Sequence, residues 1–287
     1  MFVIFGANGN TGSVVAKTLL SQGKKVRVVA RDASKVKELT EKGAEFFKGD
    51  LEDAANVTAA LRGAEGTYLI TPPDVTSKDF IGRGKKIAQN YAAGLAENEV
   101  PRAVLLSSVA AQLPSGTGPI VTAHNAEQIL GKVAGTRLTS VRAAYFMENI
   151  LANAHAIKDG VLPVFGGGES YPFPMIATRD IGEVSAKALL TTPAANEVIE
   201  LEGPQPYSLE DAAKEASAII GRPVKATALP IDQLVPTYEK FGFSNNVASL
   251  FREMTEAFGN GIAKFEGKGT HVKGRVTLAE VLRHGLS

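Results

Sequence analysis

The first thirteen residues constrain this chain more than any other stretch. Phe2-Val3-Ile4-Phe5 is a short apolar run that reads as a buried strand. It leads directly into Gly6-Ala7-Asn8-Gly9-Asn10-Thr11-Gly12 and then into a helical pattern. Glycine has a separate use at each of its positions in this turn. Gly6 takes the tight bend out of the strand, Gly9 lets backbone approach a pyrophosphate with no Cβ in the way, and Gly12 lets the helix pack closely on the sheet. The helix that follows aims its unpaired N–H groups and the positive end of its dipole at the same place. The pattern predicts a dinucleotide-phosphate turn made by Gly6, Asn8, Gly9, Asn10, Thr11 and Gly12.

The alternation that starts there continues. Residues 26–30, 44–47, 67–70, 103–106 and 139–142 read as strands, with helical segments near 35–42 and 54–62. Five or six such units in series predict a Rossmann-type, doubly wound α/β fold, with a parallel sheet, right-handed crossovers and helices on both faces. Past about Glu148 the pattern loosens into a triple glycine, several prolines and a return to strand and helix at 197–202 and 209–220. The expected division is a dinucleotide-binding domain over 1–150, rejoined by about 174–203, and a smaller C-terminal α/β capping region from 151–173 and 204–287. Residues 114–119, rich in Pro, Ser and Gly, read as a loop beside the groove, either a lid or an ordinary surface connection.

Bulk composition removes several function classes. Lys and Arg number 31 against 30 Asp and Glu, so no global field favours nucleic acid or an anionic membrane. With no cysteine there is no disulfide, no thiolate nucleophile and no thiolate-bound metal, and no metal is expected. A strand beginning at residue 2 leaves no room for a basic leader, and no later apolar run approaches a membrane span, so a cytoplasmic protein is expected.

In a doubly wound sheet, ligands lie beyond the carboxyl ends of the strands. Those ends carry Gly6, Arg31, Asp50, Thr71-Pro72-Pro73 and Ser107-Ser108. Arg31 stands nineteen positions after Gly12, where an NAD-selective fold places a carboxylate for the ribose 2′-hydroxyl. A guanidinium there suits a 2′-phosphate, which predicts NADP(H) in preference to NAD(H). The adjacent Asp32 is the competing selector, should the strand end one residue later. Asp50 and Leu51 close the third strand where an adenine edge would lie, while Asp50 or Glu52 is equally suited to cap the next helix.

Together, Phe5 to Gly12, Arg31-Asp32, Gly49-Asp50-Leu51, Tyr68 to Pro73 and Ser107-Ser108 resemble the atypical short-chain dehydrogenase/reductase superfamily. Val141 to Asn149 and Thr178-Arg179-Asp180-Ile181 resemble its NmrA-like branch over nearly the whole chain. That branch includes NAD(P)H-dependent quinone and azo-dye reductases as well as cofactor-sensing regulators. By their place at the strand ends, Thr71, Pro72, Pro73 and Ser107 are expected to contact the cofactor, Ser107 or Ser108 either orienting a substrate or nicotinamide amide or being a polar strand end that feeds a loop, and Phe146 either contacting the cofactor or packing in the core. The resemblance implies an aromatic or quinone acceptor; charge balance, the lack of a basic cluster and the lack of a long apolar run argue against nucleic acid or membrane as partner, and a homodimer or a regulatory protein partner stays open.

The chain departs from the wider superfamily at its acid. Ordinary members pair a tyrosine with a lysine one helical turn later, whose ammonium lowers the phenol pKa. Here the corresponding helix reads Thr122-Ala123-His124-Asn125-Ala126-Glu127-Gln128. His124 is then the candidate proton donor, against a structural histidine with one hydrogen bond. Glu127 either holds the helix against Arg142 or faces solvent. Tyr145 and Phe146 are expected at the nicotinamide end, where flat walls suit flat acceptors. The reading is an NADPH-dependent oxidoreductase passing hydride to a quinone-like acceptor; the alternative is a non-catalytic NAD(P) sensor that reports to a protein partner.

Overall fold

The computed structural model describes residues 1–286. Among the described residues, twelve strands are β1 (Phe2–Phe5), β2 (Val26–Ala30), β3 (Glu45–Lys48), β4 (Gly66–Leu69), β5 (Arg102–Ser108), β6 (Arg137–Ala143), β7 (Tyr145–Phe146), β8 (Val161–Phe165), β9 (Met175–Ile176), β10 (Glu197–Glu202), β11 (Lys225–Leu229) and β12 (Thr270–Lys273). The α-helices among the same described residues number eleven: α1 (Asn10–Ser21), α2 (Lys37–Glu41), α3 (Ala54–Ala60), α4 (Phe80–Glu97), α5 (Val121–Leu130), α6 (Ala154–Lys158), α7 (Thr178–Leu189), α8 (Leu209–Ile220), α9 (Leu234–Lys240), α10 (Asn245–Gly259) and α11 (Leu278–Leu286).

Eight strands form one sheet in the order β12-β10-β6-β5-β4-β1-β2-β3, and every pairing in it is parallel. The continuous apolar run of β1 is what a central parallel strand requires, since both faces are covered. Its odd and even residues divide accordingly. Phe2 and Ile4 join the core with Val15, Leu19 and Ile181 from α1 and α7, whereas Val3 and Phe5 join Val57, Ile87 and Leu130 from α3, α4 and α5. The chain leaves β1 toward β2 and β3 on one side, then crosses to β4 on the other. This reversal opens the crevice at the carboxyl end of β1.

A further core lies beyond the sheet. Met147, Ile150, Ile157, Leu162, Met175, Tyr207 and residues of α8 and α11 pack together there, beside the two-stranded sheets β11-β8 and β7-β9. The chain weaves between the two cores. After β10, α8 and β11 belong to the outer core, yet β12 returns to the edge of the main sheet, registered Ile199 to Thr270. Asp180 in α7 ties down the segment after β12, its Oδ2 accepting from the N–H groups of Arg275 and Val276 at 2.9 Å each. Among the described residues no helix is long and apolar enough to cross a membrane.

Candidate functional site

A cleft of about 980 Å³ runs along the carboxyl ends of the strands. Its wall includes Gly6, Asn8, Gly9, Asn10, Thr11, Arg31, Asp50, Leu51, Thr71, Pro72, Pro73, Ser107 and Phe146, so one groove collects these residues from six separate segments. Gly12, His124 and Tyr145 are not on that wall.

The glycines of the turn do different work. Gly6 has φ +68°, and a Cβ there would meet the Ile70 side chain. At Gly12 a Cβ would strike the Gly6 carbonyl and the Ala7 nitrogen, all backbone, so Gly12 fixes the approach of α1 to the turn from beneath. Gly9 is extended (φ −97°), and a Cβ would meet nothing nearer than the Gly6 oxygen at 3.4 Å. A Cβ at Gly9 therefore meets no clash within the protein, and Gly9 lines the cleft. No side chain caps α1 and its first turn holds no acid, which leaves its N–H groups and dipole directed at the cleft. Thr11 is held from below by the buried Tyr68 hydroxyl at 2.9 Å.

At the β2 end, Asp32 caps the turn over Ala33–Val36 by accepting from Ser34 N–H at 2.9 Å. That bond, followed by a further one from the Ser34 side chain, holds its carboxyl below the usual range. Arg31 makes no hydrogen bond or ion pair among the described residues and is exposed to the cleft. The two competing selectors are thus in different states: the carboxylate is engaged in its own turn, and the guanidinium is available. Nearby Asp74 is held low mainly by hydrogen bonds from Thr76, with Arg83 and Arg31 adding through space.

At the end of β3 the helix cap is Asp53, which accepts from Ala55 and Asn56 N–H; neither Asp50 nor Glu52 fills that role. Asp50 instead accepts from Glu52 N–H at 3.0 Å while facing the cleft. Glu52 pairs with Arg83 at 2.8 Å, and Arg83 also donates to the Pro72 carbonyl at 2.8 Å. Arg83 thereby clamps the loop after β3 to the loop after β4 across the cleft wall. Nothing in the sequence marked it, because the clamp joins residues far apart in the chain. Thr178 at the start of α7 is a second wall residue outside the expected set; its N–H and hydroxyl both donate to Glu148 Oε1, at 2.9 and 2.6 Å.

The β5 end holds a buried polar network. Ser107 Oγ donates to Glu127 Oε1 at 2.6 Å. Arg142 grips the same carboxylate with a fork, Nε to Oε1 at 3.0 Å and Nη2 to Oε2 at 2.7 Å, and reaches Glu266 at 2.9 Å. Burial opposes the Arg142 charge, but the bonds to Glu127 and then Glu266 outweigh it and raise its pKa. Of the two readings of Glu127, the helix-holding one is what the structure contains.

His124 sits on α5 with Nδ1 2.9 Å from the Ala111 carbonyl, so that nitrogen carries the proton and donates it. The bond secures a turn in which Ala110 has φ +65°, a left-handed conformation costly for a residue with a Cβ. Thr122 and Ala123, its helical neighbours, face the cleft instead. Tyr145 and Phe146 lie on opposite sides of β7, as neighbours on a strand must. Phe146 faces the cleft, while Tyr145 stands edge-on to Phe173 at 5.4 Å, its phenol pKa pushed up by burial. Phe165 and Phe243 join Tyr238 in a neighbouring aromatic cluster, whereas Tyr171 and Phe241 are exposed. In the stretch 114–119, residues 114–116 are exposed and Gly118 is wedged under α10, where a Cβ would strike the Leu250 carbonyl, so its second half is pinned.

Over residues 1–273 the chain matches the NmrA-like family. It belongs to that family. Among its relatives, an NAD(P)H azoreductase from Xenophilus azovorans is 27% identical over 88% of this chain and 86% of its own. Quinone oxidoreductase 2 of Escherichia coli is 24% identical over the same shares, 88% and 86%. The crystal structure of an Escherichia coli NADPH-dependent quinone oxidoreductase complexed with NADPH superposes with a TM-score of 0.82 at 22% identity, covering 100% of both chains. The two molecules therefore share one fold from end to end.

Proposed function

We propose that this protein is an oxidoreductase that binds NADPH along the cleft and passes hydride to a flat, conjugated, electron-poor acceptor of the quinone or azo type. The residues fit the cofactor. An uncapped helix start and an unobstructed Gly9 suit the pyrophosphate, and a Cβ at Gly9 would occupy the place of the ligand rather than of the protein. The single observation that carries the preference for NADPH is the contrast at the end of β2: Asp32 is committed to Ser34 and Arg31 is available. When bound, the dihydronicotinamide supplies the hydride. The protein's own residues bind, orient and exclude water: α1 and the turn at the phosphates, Asp50 and Leu51 beside the adenine, Thr71 to Pro73 and Phe146 along the nicotinamide half.

Support for the acceptor class comes from the azoreductase and quinone oxidoreductase relatives and from what the site does not aim at the cleft. The Ser107 proton points to Glu127 and the His124 Nδ1 proton to Ala111, so neither is directed at a substrate carbonyl. An acceptor whose reduced form is a resonance-stabilised anion takes its proton from water and needs no such donor; an ordinary ketone needs one. The same observation favours the second reading, an NAD(P) sensor without turnover. The test is NADPH consumption by the purified protein across quinones, azo dyes and simple ketones. Turnover with the first two classes and none with ketones is expected, whereas NADPH binding with no turnover in any class would select the sensor.

A further inference from the structure

At the β5 end of the cleft the lining residue Ser107 is bonded to Glu127, and neither Glu127 nor its partner Arg142 lines the cleft. Ser107 lies at the carboxyl end of β5, 4% exposed, and is one of the residues lining the cleft. By strand order, the phosphate turn at β1 separates the β2–β3 side, where Arg31 and Asp50 lie, from the β4–β5–β6 side. A dinucleotide with its 2′-phosphate at Arg31 therefore extends its nicotinamide toward Ser107.

A serine hydroxyl has one proton to give and lone pairs with which to accept. Here the proton is committed. Glu127 takes it at 2.6 Å, and Glu127 is itself gripped on both oxygens by Arg142, all within 9% exposure or less. The Glu127 carboxylate accepts from the Arg142 guanidinium on both oxygens, and the serine hydroxyl is the partner with a proton to give, so Ser107 is the donor between the two. What Ser107 then turns toward the cleft is lone pairs. We infer that Ser107 recognises a hydrogen-bond donor, the amino group of the nicotinamide carboxamide, and that Glu127 and Arg142 are positioning residues that fix this polarity. The inference rests on the cleft holding a nicotinamide dinucleotide. It assigns to Ser107 the opposite sense to a serine that donates to a substrate carbonyl.

The test is equilibrium binding of three cofactors to the intact protein by calorimetry: NADPH, its thionicotinamide analogue, which keeps the N–H₂ group, and its 3-acetylpyridine analogue, which replaces it by methyl. Wild type should bind NADPH and the thioamide alike and the acetylpyridine analogue roughly three- to tenfold more weakly, the loss of one hydrogen bond at a buried acceptor. In Ser107→Ala that ratio should fall to about one through weaker binding of the two amide-bearing cofactors. The variant keeps Arg142 on Glu127, and Ser108→Ala, on the same wall, should preserve the wild-type ratio. Equal wild-type affinity for all three cofactors, or a ratio that survives in Ser107→Ala, overturns the inference while leaving dinucleotide binding intact. Failure of all three to bind wild type overturns both readings together. The wild-type arm decides even if the variant does not fold.

Discussion

At the scale of the residue, Arg31 is where the chemistry is most exposed to test. NADH and NADPH share every contact except those to the 2′ group, so Arg31→Ala should weaken NADPH binding and leave NADH nearly unchanged. A hydrogen bond to a charged group contributes about 1.5–3 kcal/mol, and the solvent exposure of Arg31 places the effect near the lower bound, about tenfold in Kd. Added salt should erode the preference in the same direction. Titration of both cofactors checks this; equal losses for the two would remove Arg31 from the site. Gly9→Val gives the complementary outcome. Its backbone is extended and its Cβ space open, so the variant should melt like wild type and yet lose cofactor binding. The positions of Arg31 and Gly9 on the cleft were legible in the sequence because they depend on a turn and a strand end, both local. Arg83 and the pairing of Thr178 with Glu148 were not, since each acquires its place through contacts 31 and 30 residues apart in the chain.

At the scale of the element, the strands and helices that build the groove were legible from apolar periodicity, because a central parallel strand and an amphipathic helix leave different patterns. The caps were harder. Three acids stand together at Asp50, Glu52 and Asp53, and only the geometry of the chain selects Asp53 for α3. His124 has a similar history: its type invited a catalytic reading, and the carbonyl it holds lies thirteen residues back, on the left-handed turn at Ala110. His124→Phe should accordingly leave quinone turnover and its pH profile within a few-fold of wild type; a loss of about a hundredfold with unaltered NADPH affinity would restore the acid role. Helix α8 offers a pH-dependent case. Ser208 and Asp211 form a reciprocal capping box, and hydrogen bonds from the Ser208 backbone and then its side chain depress the Asp211 pKa. A carboxyl depressed in the folded state contributes stability above its unfolded pKa and loses it as pH falls through the folded one. Ser208→Ala should therefore cost about 1 kcal/mol at neutral pH, a few degrees in Tm, and the gap from wild type should narrow on acidification. A gap that is constant from neutral to acid pH would remove Asp211 from the cap's energetics.

At the scale of the whole molecule, the question is whether the outer core behaves as a separate cap or as part of one cooperative unit. Residue order predicted a smaller region over 151–173 and 204–287, but composition carries no record of how often a chain crosses between cores. The crossings are specific. Strand β12 lies in the main sheet, Asp180 anchors the segment after it, and the N-terminus of α10 is tied to the cleft wall. There, Ser244 N–H donates to the Val75 carbonyl at 2.8 Å, its hydroxyl donates to the Ser77 carbonyl at 2.5 Å, and Phe80 N–H donates to Asn246 at 3.0 Å. Val75 and Phe80 line the cleft, so a ligand that orders this wall must also act on α10. The expected outcome is a single thermal transition that NADPH shifts as a whole. At a free concentration of about 100 Kd, linkage supplies about 2.7 kcal/mol, several degrees for a chain of this size. Hydrogen exchange at saturating NADPH should show slower exchange in α10 together with the wall over residues 71–80. If α10 instead exchanged at the same rate with and without cofactor, and a first melting step stayed fixed while a second moved, the outer core would be an independent domain and the ties at Ser244 and Asn246 would carry no coupling.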